Sequence, residues 1–284
     1  MTSRIIAVGN LKGGTGKSTI AVNLACRLAE KQRSVLLIDA DPQGTASAWL
    51  RDGPPQGLQV ASFPLAGAAD HIDWAQEIAE QRGCHDRIVV DLPPQTGECF
   101  EAALCVADLL VVPLTLSEVD LHATAQALAV LHRMRGMRDG RPSCLLVPSK
   151  VDRRTSLGRR ACASLGRLGW EVGPALGQRA AHAEAFRSGQ WIGAHAPGSA
   201  GHMEISALVE QVESQLARCP QASILELRSA NADAPQPIYA DAPQQIAGEL
   251  KPAPGIPLRI GAMCLSLLGA ALSKLRRAEQ QAYF

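Results

Sequence analysis

Short, fully apolar runs alternate along this chain with stretches whose apolar residues recur at helical spacing. Ile5 to Val8, Val35 to Ile38, Ile88 to Val90, Leu109 to Val112 and Cys144 to Val147 have the length and continuity of strands buried on both faces. The stretch through Ile20, Val22, Leu24, Ala25 and Leu28 reads instead as a helix with one apolar side. Applied along the chain, the patterns predict strand 4–9, helix 17–31, strand 34–39, helix 43–50, strand 58–63 and helix 70–82. Strand 87–91, helix 97–106, strand 108–113, helix 117–135 and strand 143–148 follow. Helix 156–168, strand 170–175, helix 180–187 and helix 202–217 complete the series. Strands alternating with amphipathic helices define an α/β fold with a mostly parallel sheet covered by helices on both faces. Periodicity places the elements and leaves the strand order open.

The pattern changes after residue 218. Residues 219–257 are rich in Ala, Pro and Gln and have no apolar period, the composition of a flexible linker. In 258–278 the pattern returns, with Ile260, Met263, Cys264, Leu267, Leu268, Ala271, Leu272 and Leu275 on one helical stripe. The uncharged run between Arg259 and Lys274 is 14 residues, short for a bilayer span. This helix can pack on the globular part or self-associate, dock on a partner, or lie in a membrane interface beside Lys274, Arg276 and Arg277. The division expected is therefore a globular domain at 1–218, a linker at 219–257 and a C-terminal helix at 258–278.

Composition narrows the class. The chain has 284 residues and 46% apolar content, enough for one large core. Met1 to Arg4 leads straight into the first strand, so no signal peptide is expected and the location expected is cytoplasmic. Eight cysteines without a Cys-x-x-Cys pair, and seven histidines without ligand spacing, point to reduced thiols rather than a zinc or iron–sulfur site.

The chemistry begins at Gly9 to Thr19, between the first strand and the first helix. Gly13, Gly14 and Gly16 allow backbone N–H groups to close around phosphate oxygens, and the helix N-terminus adds partial positive charge. Thr15 and Thr19 complete the cradle. Lys17 reaches the β- and γ-phosphates, and the Ser18 hydroxyl takes a Mg²⁺ position. Two further strands end in acids: Asp39 with Asp41 beyond it, and Asp91 followed by Pro93 and Pro94. Strand ends of this kind are where open α/β sheets place ligands. Asp39 and Asp41 are interchangeable on this reading, and either could also cap the helix that follows.

Lys12 to Ser18, with Asp39-Ala40-Asp41-Pro42-Gln43-Gly44 and the Arg87-to-Asp91 strand following in order, resembles the deviant Walker A box and companion segments of the ParA/MinD family of ATPases. The likeness is closest to ParA-type partition and positioning ATPases and covers roughly 5–217. It implies a P-loop NTPase sheet, ATP and Mg²⁺. It implies that Lys12 reaches across a dimer interface to the partner's phosphates and that Asp41 positions the attacking water. It also implies that Asp39 supports the Mg²⁺ shell and Asp91 holds a Mg²⁺-bound water. Lys12, Lys17 and Asp41 are the catalytic set, and Ser18, Asp39 and Asp91 the metal set. ATP follows from the resemblance alone, since Ser149-Lys150-Val151-Asp152 is similar to a guanine-reading box lacking its first residue.

Charge adds a partner. From Arg133 to Arg167 ten basic residues face two acidic ones, in a chain of net charge +1. Such clustering is the footprint of a polyanion-binding face, and without interleaved aromatics it suits duplex DNA backbone more than stacked bases. The contacts expected are Arg153, Arg154, Arg159 and Arg160. Arg179 and Arg187 stand where family members carry an Ile-Pro-Arg-like segment that is broken here. The function implied is an ATPase that dimerises on ATP, holds non-specific nucleoid DNA and positions or partitions a cargo, its hydrolysis stimulated by a ParB-like or cargo-adaptor protein. The alternatives are a MinD-like membrane-cycling regulator using the C-terminal helix, and a biosynthetic ATP-dependent amide ligase of the same superfamily.

Overall fold

The computed structural model describes residues 3–51, 53–64, 71–95, 97–166 and 168–219. The expected linker and C-terminal helix lie outside the described residues. The elements run β1 (Arg4–Val8), α1 (Lys17–Glu30), β2 (Val35–Asp39), α2 (Thr45–Trp49), β3 (Leu58–Ser62) and α3 (His71–Glu80). They continue with β4 (Arg87–Asp91), α4 (Glu98–Val106), β5 (Leu109–Leu114), α5 (Glu118–Gly136), β6 (Ser143–Pro148) and α6 (Ser156–Gly166). Last come β7 (Glu171–Val172), α7 (Ala180–Arg187), α8 (Ile192–His195) and α9 (Ala200–Arg218).

All seven strands join one sheet in the order β3-β2-β4-β1-β5-β6-β7, and every pairing is parallel. Alternation within each strand sends side chains to two cores. Ile6, Val8, Leu37, Val89 and Val111 pack with Leu24, Leu28, Leu208 and Val212 from α1 and α9. Ile5, Ile88, Leu110 and Leu146 point the other way, where Ile78, Phe100, Leu104 and Leu131 of α3 to α5 are also buried. Both faces are thus covered, which is why the central strands carry no polar interior positions. The bidentate pair from Arg87 to Glu213, at 2.6 and 2.9 Å, ties the start of β4 to α9.

Several boundaries shift from expectation by one or two residues, and three differences are more informative. The strand expected at 170–175 holds only two residues; the Gly173 N–H still donates to the Leu146 carbonyl at 2.7 Å, and regular pairing stops at Pro174. The last helix starts at Ala200 instead of 202: Ser199 caps it by accepting from the His202 N–H. The one-turn helix α8 was not foreseen; four residues are too few to show a period. Among the described residues no helix is long and apolar enough to cross a membrane.

Candidate nucleotide site

Parallel order puts the loop after β1 between the C-terminal ends of β4 and β5. Asp39 and Asp91 are register partners at the ends of β2 and β4, so the two strand-end acids meet beside that loop. The loop itself is pinned at its root. Asn10, fully buried, donates from Nδ2 to the Pro113 carbonyl at 2.8 Å and to Thr124 Oγ1 at 3.0 Å. Thr15 is held from below, its carbonyl accepting from Ser149 Oγ at 2.5 Å. Gly14 and Gly16 sit at φ 75° and 95°, a region that costs any side-chain-bearing residue strain, so these two positions require glycine. Gly16 is also the N-cap of α1 and offers no side chain to the first-turn N–H groups. Those donors are left for an anion.

Lys17 is buried, with Nζ on the Lys12 carbonyl at 3.1 Å. Burial lowers its pKa, and Asp91 and Asp41 oppose that shift. Asp91 is the counterpart. Both its oxygens are buried without a hydrogen-bond partner, and burial raises its pKa to about 7. The nearby Ser18 hydroxyl and Lys17 pull in the opposite direction, while Asp39 and Asp41 add to the rise. A buried carboxylate with no donor is a strained arrangement that a hydrated cation relieves. No group of three or more Asp, Glu, His or Cys able to hold an ion exists among the described residues. Mg²⁺ takes one or two protein ligands and fills its shell with water and phosphate oxygen. Ser18 and Asp91 are the residues that would hold it, and it would neutralise charge on the phosphates.

The two strand-end acids, similar in sequence, are used differently. Asp39 accepts from the Ser47 N–H at 2.7 Å and the Asp41 N–H at 3.3 Å, so it caps α2 and shapes the segment carrying Asp41. Asp41 is half-buried and accepts only from the Gln43 N–H, at 2.9 Å. Lys12 is half-buried on the loop.

The basic window divides too. Arg138 points inward and caps α4 through the Leu104 and Ala107 carbonyls. Arg135 lies 5.1 Å over the Trp170 ring, and Arg133 faces Glu101. Arg153, Arg154, Arg159 and Arg160 remain exposed on the β6–α6 connection and the start of α6. Arg154 pairs with Asp152, yet its side chain is 90% exposed. Arg179 turns to Glu204 at 2.6 Å, whereas Arg187 is exposed at the far end of α7. Next to Gly16 and Thr19 opens a cleft of about 440 Å³, whose lining also includes Trp49 and Phe186. The sequence reading passed over Asn10, Ser149 and this cleft; the spacing of Ser149-Lys150-Val151-Asp152 was the available signal for the second.

A parallel α/β sheet with a glycine loop, a lysine and an unpaired acid at its C-terminal edge defines a phosphate-loop nucleotide-binding protein. The chain belongs to the CobQ/CobB/MinD/ParA nucleotide-binding domain family, whose model matches residues 6–218. It is 32% identical over 168 residues to the maintenance of carboxysome distribution protein A of Halothiobacillus neapolitanus, covering 59% of this chain and 76% of that one. It is 30% identical over 244 residues to the chromosome-partitioning ATPase Soj of Thermus thermophilus, covering 75% and 96%. Among solved structures, the septum site-determining protein MinD of Pyrococcus horikoshii with Mg-ADP superposes with TM-score 0.62 at 18% identity, covering 74% and 96%. An ATP complex of a Cyanothece McdA variant also gives 0.62, at 17% identity, covering 78% and 99%.

Proposed function

We propose that this chain is an ATPase that closes into a dimer on Mg²⁺–ATP, and that the dimer holds duplex DNA without sequence preference to position or partition a cargo. Relatives named for carboxysome distribution and for chromosome partitioning support this reading. The observation that carries it is the covalent and hydrogen-bonded path from loop to arginines. Ser149 grips the Thr15 carbonyl, and the next residues, Lys150 to Arg160, carry the four exposed arginines. Val151 is fixed by an N–H bond to the Leu176 carbonyl, and Thr155 caps the turn into α6 by accepting from the Gly158 N–H. A change at the phosphate loop therefore reaches the basic surface through a short, well-braced segment.

In the cycle, backbone N–H groups of Gly13 to Thr19 and the Lys17 ammonium bind the triphosphate. Lys12 completes the partner's site across the interface. Asp41 orients the attacking water, and Asp39 keeps the Asp41 segment in place through its two backbone bonds. Loss of the γ-phosphate contacts opens the dimer and releases the DNA, a step accelerated by a ParB-like or cargo-adaptor protein. The location that follows is nucleoid-associated.

The test is retention of a random duplex with ATP, with ADP and without nucleotide, at two salt concentrations. Retention should need ATP and fall steeply with salt, as counterion release demands. Arg153, Arg154, Arg159 and Arg160 changed together to Glu should abolish it while ATP binding persists. Retention that ignores nucleotide, or survives the four charge reversals, refutes the reading.

A further inference from the structure

The two edges of the sheet are finished differently. At one end β7 offers two residues, too short a strand to template another. At the other end β3 runs in register with β2 over its whole length. Its residues, Leu58-Gln59-Val60-Ala61-Ser62, include no charge and no proline, and the register is unbroken by a bulge. None of the usual guards against edge pairing is present in this strand. The Val35 N–H donates to the Gly57 carbonyl, and the Phe63 N–H to the Asp39 carbonyl. Alternation therefore turns the backbone groups of Gln59 and Ala61 toward β2 and those of Val60 and Ser62 outward. Among the described residues no strand pairs with that outer side.

Beside this edge, on the sheet face that α3 covers, lies a second cleft, of about 290 Å³. Leu36, Ile38 and Ala61 are in its apolar lining, and Gln59, Glu77 and Gln81 in its polar lining. One end is braced: Trp74 donates from Nε1 to the Phe63 carbonyl at 2.9 Å, and the two rings stack 6.2 Å apart at 20°. Asp73, Glu77 and Glu80 recur on α3 at the spacing of one helix face, and all three are exposed. The side of α3 that reaches the cleft through Glu77 is therefore an acidic row. No ion pair among the described residues uses any of the three. No Lys or Arg lines the cleft, and burial holds the His85 imidazole toward its neutral form against the pull of Asp86. The charge at this edge is thus negative and unanswered.

We propose that β3 and this cleft together form a docking site for an extended basic peptide of a partner protein. The peptide adds as a strand to the outer side of β3 and bonds to the backbone of Val60 and Ser62. Side chains of a strand alternate, so every second residue of the peptide faces the cleft. A lysine or arginine there lays its aliphatic stem along the apolar lining and brings its charged head to the acidic row. Main-chain bonds supply affinity, and the alternate side chains select the partner. In the sheet order β3 stands three places from β1, so this surface is separate from the phosphate loop and the inference does not rest on the nucleotide reading.

The experiment is fluorescence anisotropy of the full chain with a short labelled peptide of alternating lysine and threonine. Two further peptides accompany it: one with glutamate in place of lysine, and the lysine peptide N-methylated at every amide, which keeps its charge and loses its strand donors. The lysine peptide should bind, and each of the other two should bind at least about tenfold more weakly. Asp73→Lys, Glu77→Lys and Glu80→Lys together should weaken the lysine peptide by at least about tenfold. Val60→Pro should do the same, since the N–H it removes faces outward, where an edge strand accepts proline. The N-methylated peptide asks the same question of the unaltered protein, so a Val60→Pro chain that fails to fold leaves the test intact. Equal binding of the lysine peptide and its N-methylated form, or of the lysine and glutamate peptides, overturns the inference. Absence of binding at millimolar peptide does so as well. Nucleotide-free self-association in sedimentation that Val60→Pro abolishes gives the edge to a second copy of the chain and also overturns it.

Discussion

Asn10 offers a quantitative test of how the phosphate loop is held. Its amide donates twice, to the Pro113 carbonyl at 2.8 Å and to Thr124 Oγ1 at 3.0 Å, in a setting with no exposed surface. The Thr124 hydroxyl spends its own proton on the Asp120 carbonyl at 2.7 Å, so towards Asn10 it can only accept. Polarity is therefore fixed, and only a donor suits position 10. Asn10→Ala removes two bonds worth about 1 kcal/mol each and leaves buried acceptors facing no donor, for a total loss of roughly 2–4 kcal/mol. Asn10→Asp should cost more at neutral pH, because a carboxylate would meet two acceptors in a dry site. Thr124→Val alone breaks one of the two bonds, and its coupling to Asn10→Ala in a double-mutant cycle should be about 1 kcal/mol. Urea unfolding at pH 7.5, with and without Mg²⁺–ATP, reads all three values, and ATP affinity should fall with the loop's loosened root. A loss in Asn10→Ala below about 0.5 kcal/mol, or an Asp variant as stable as the parent, would show that the network does not anchor the loop.

Three further outcomes follow from the site. Lys12→Ala should bind ATP within about twofold of the parent, since Lys17 and the backbone amides remain, yet stay monomeric in light scattering with ATP; an unchanged dimer removes its role in trans. Asp39→Ala should cost roughly 1–3 kcal/mol in unfolding by freeing two half-buried amides while leaving the Mg²⁺ requirement of ATP binding in place, whereas Asp91→Asn should abolish that requirement with little loss of stability. Opposite results would exchange the roles of the two acids. Asp41→Ala should cut turnover at least a hundredfold and lengthen DNA retention, and normal turnover would take Asp41 out of the chemistry.

The sequence carried the sheet because its central strands are buried on both sides and therefore read as unbroken apolar runs. It carried the loop because Gly14 and Gly16 occupy backbone regions that strain other residues, so the spacing is favoured by geometry. It was less informative at Glu171–Val172, an edge strand of two residues whose regular pairing stops at Pro174. Charge misled most. Arg138 and Arg153 look alike in a run of basic residues, yet one closes off the carbonyl end of α4 and the other lies on the surface. Which arginine turns inward depends on where α4 ends relative to α5, a tertiary fact with no local signature. Arg179 is similar: its partner Glu204 is 25 positions away on another helix.

The bareness of the Asp91 carboxylate has a simple origin in the residues that come next. The Leu92 N–H is spent on the Val8 carbonyl, Pro93 and Pro94 have no N–H to give, and the Gln95 N–H folds back onto the Pro93 carbonyl. Four consecutive positions are in this way silenced as donors, and the backbone cannot do for this acid what it does for Asp39. Two imino acids thereby write an appetite for a cation into the chain: replacing Pro93 or Pro94 with a residue that has an amide hydrogen would begin to feed it from within.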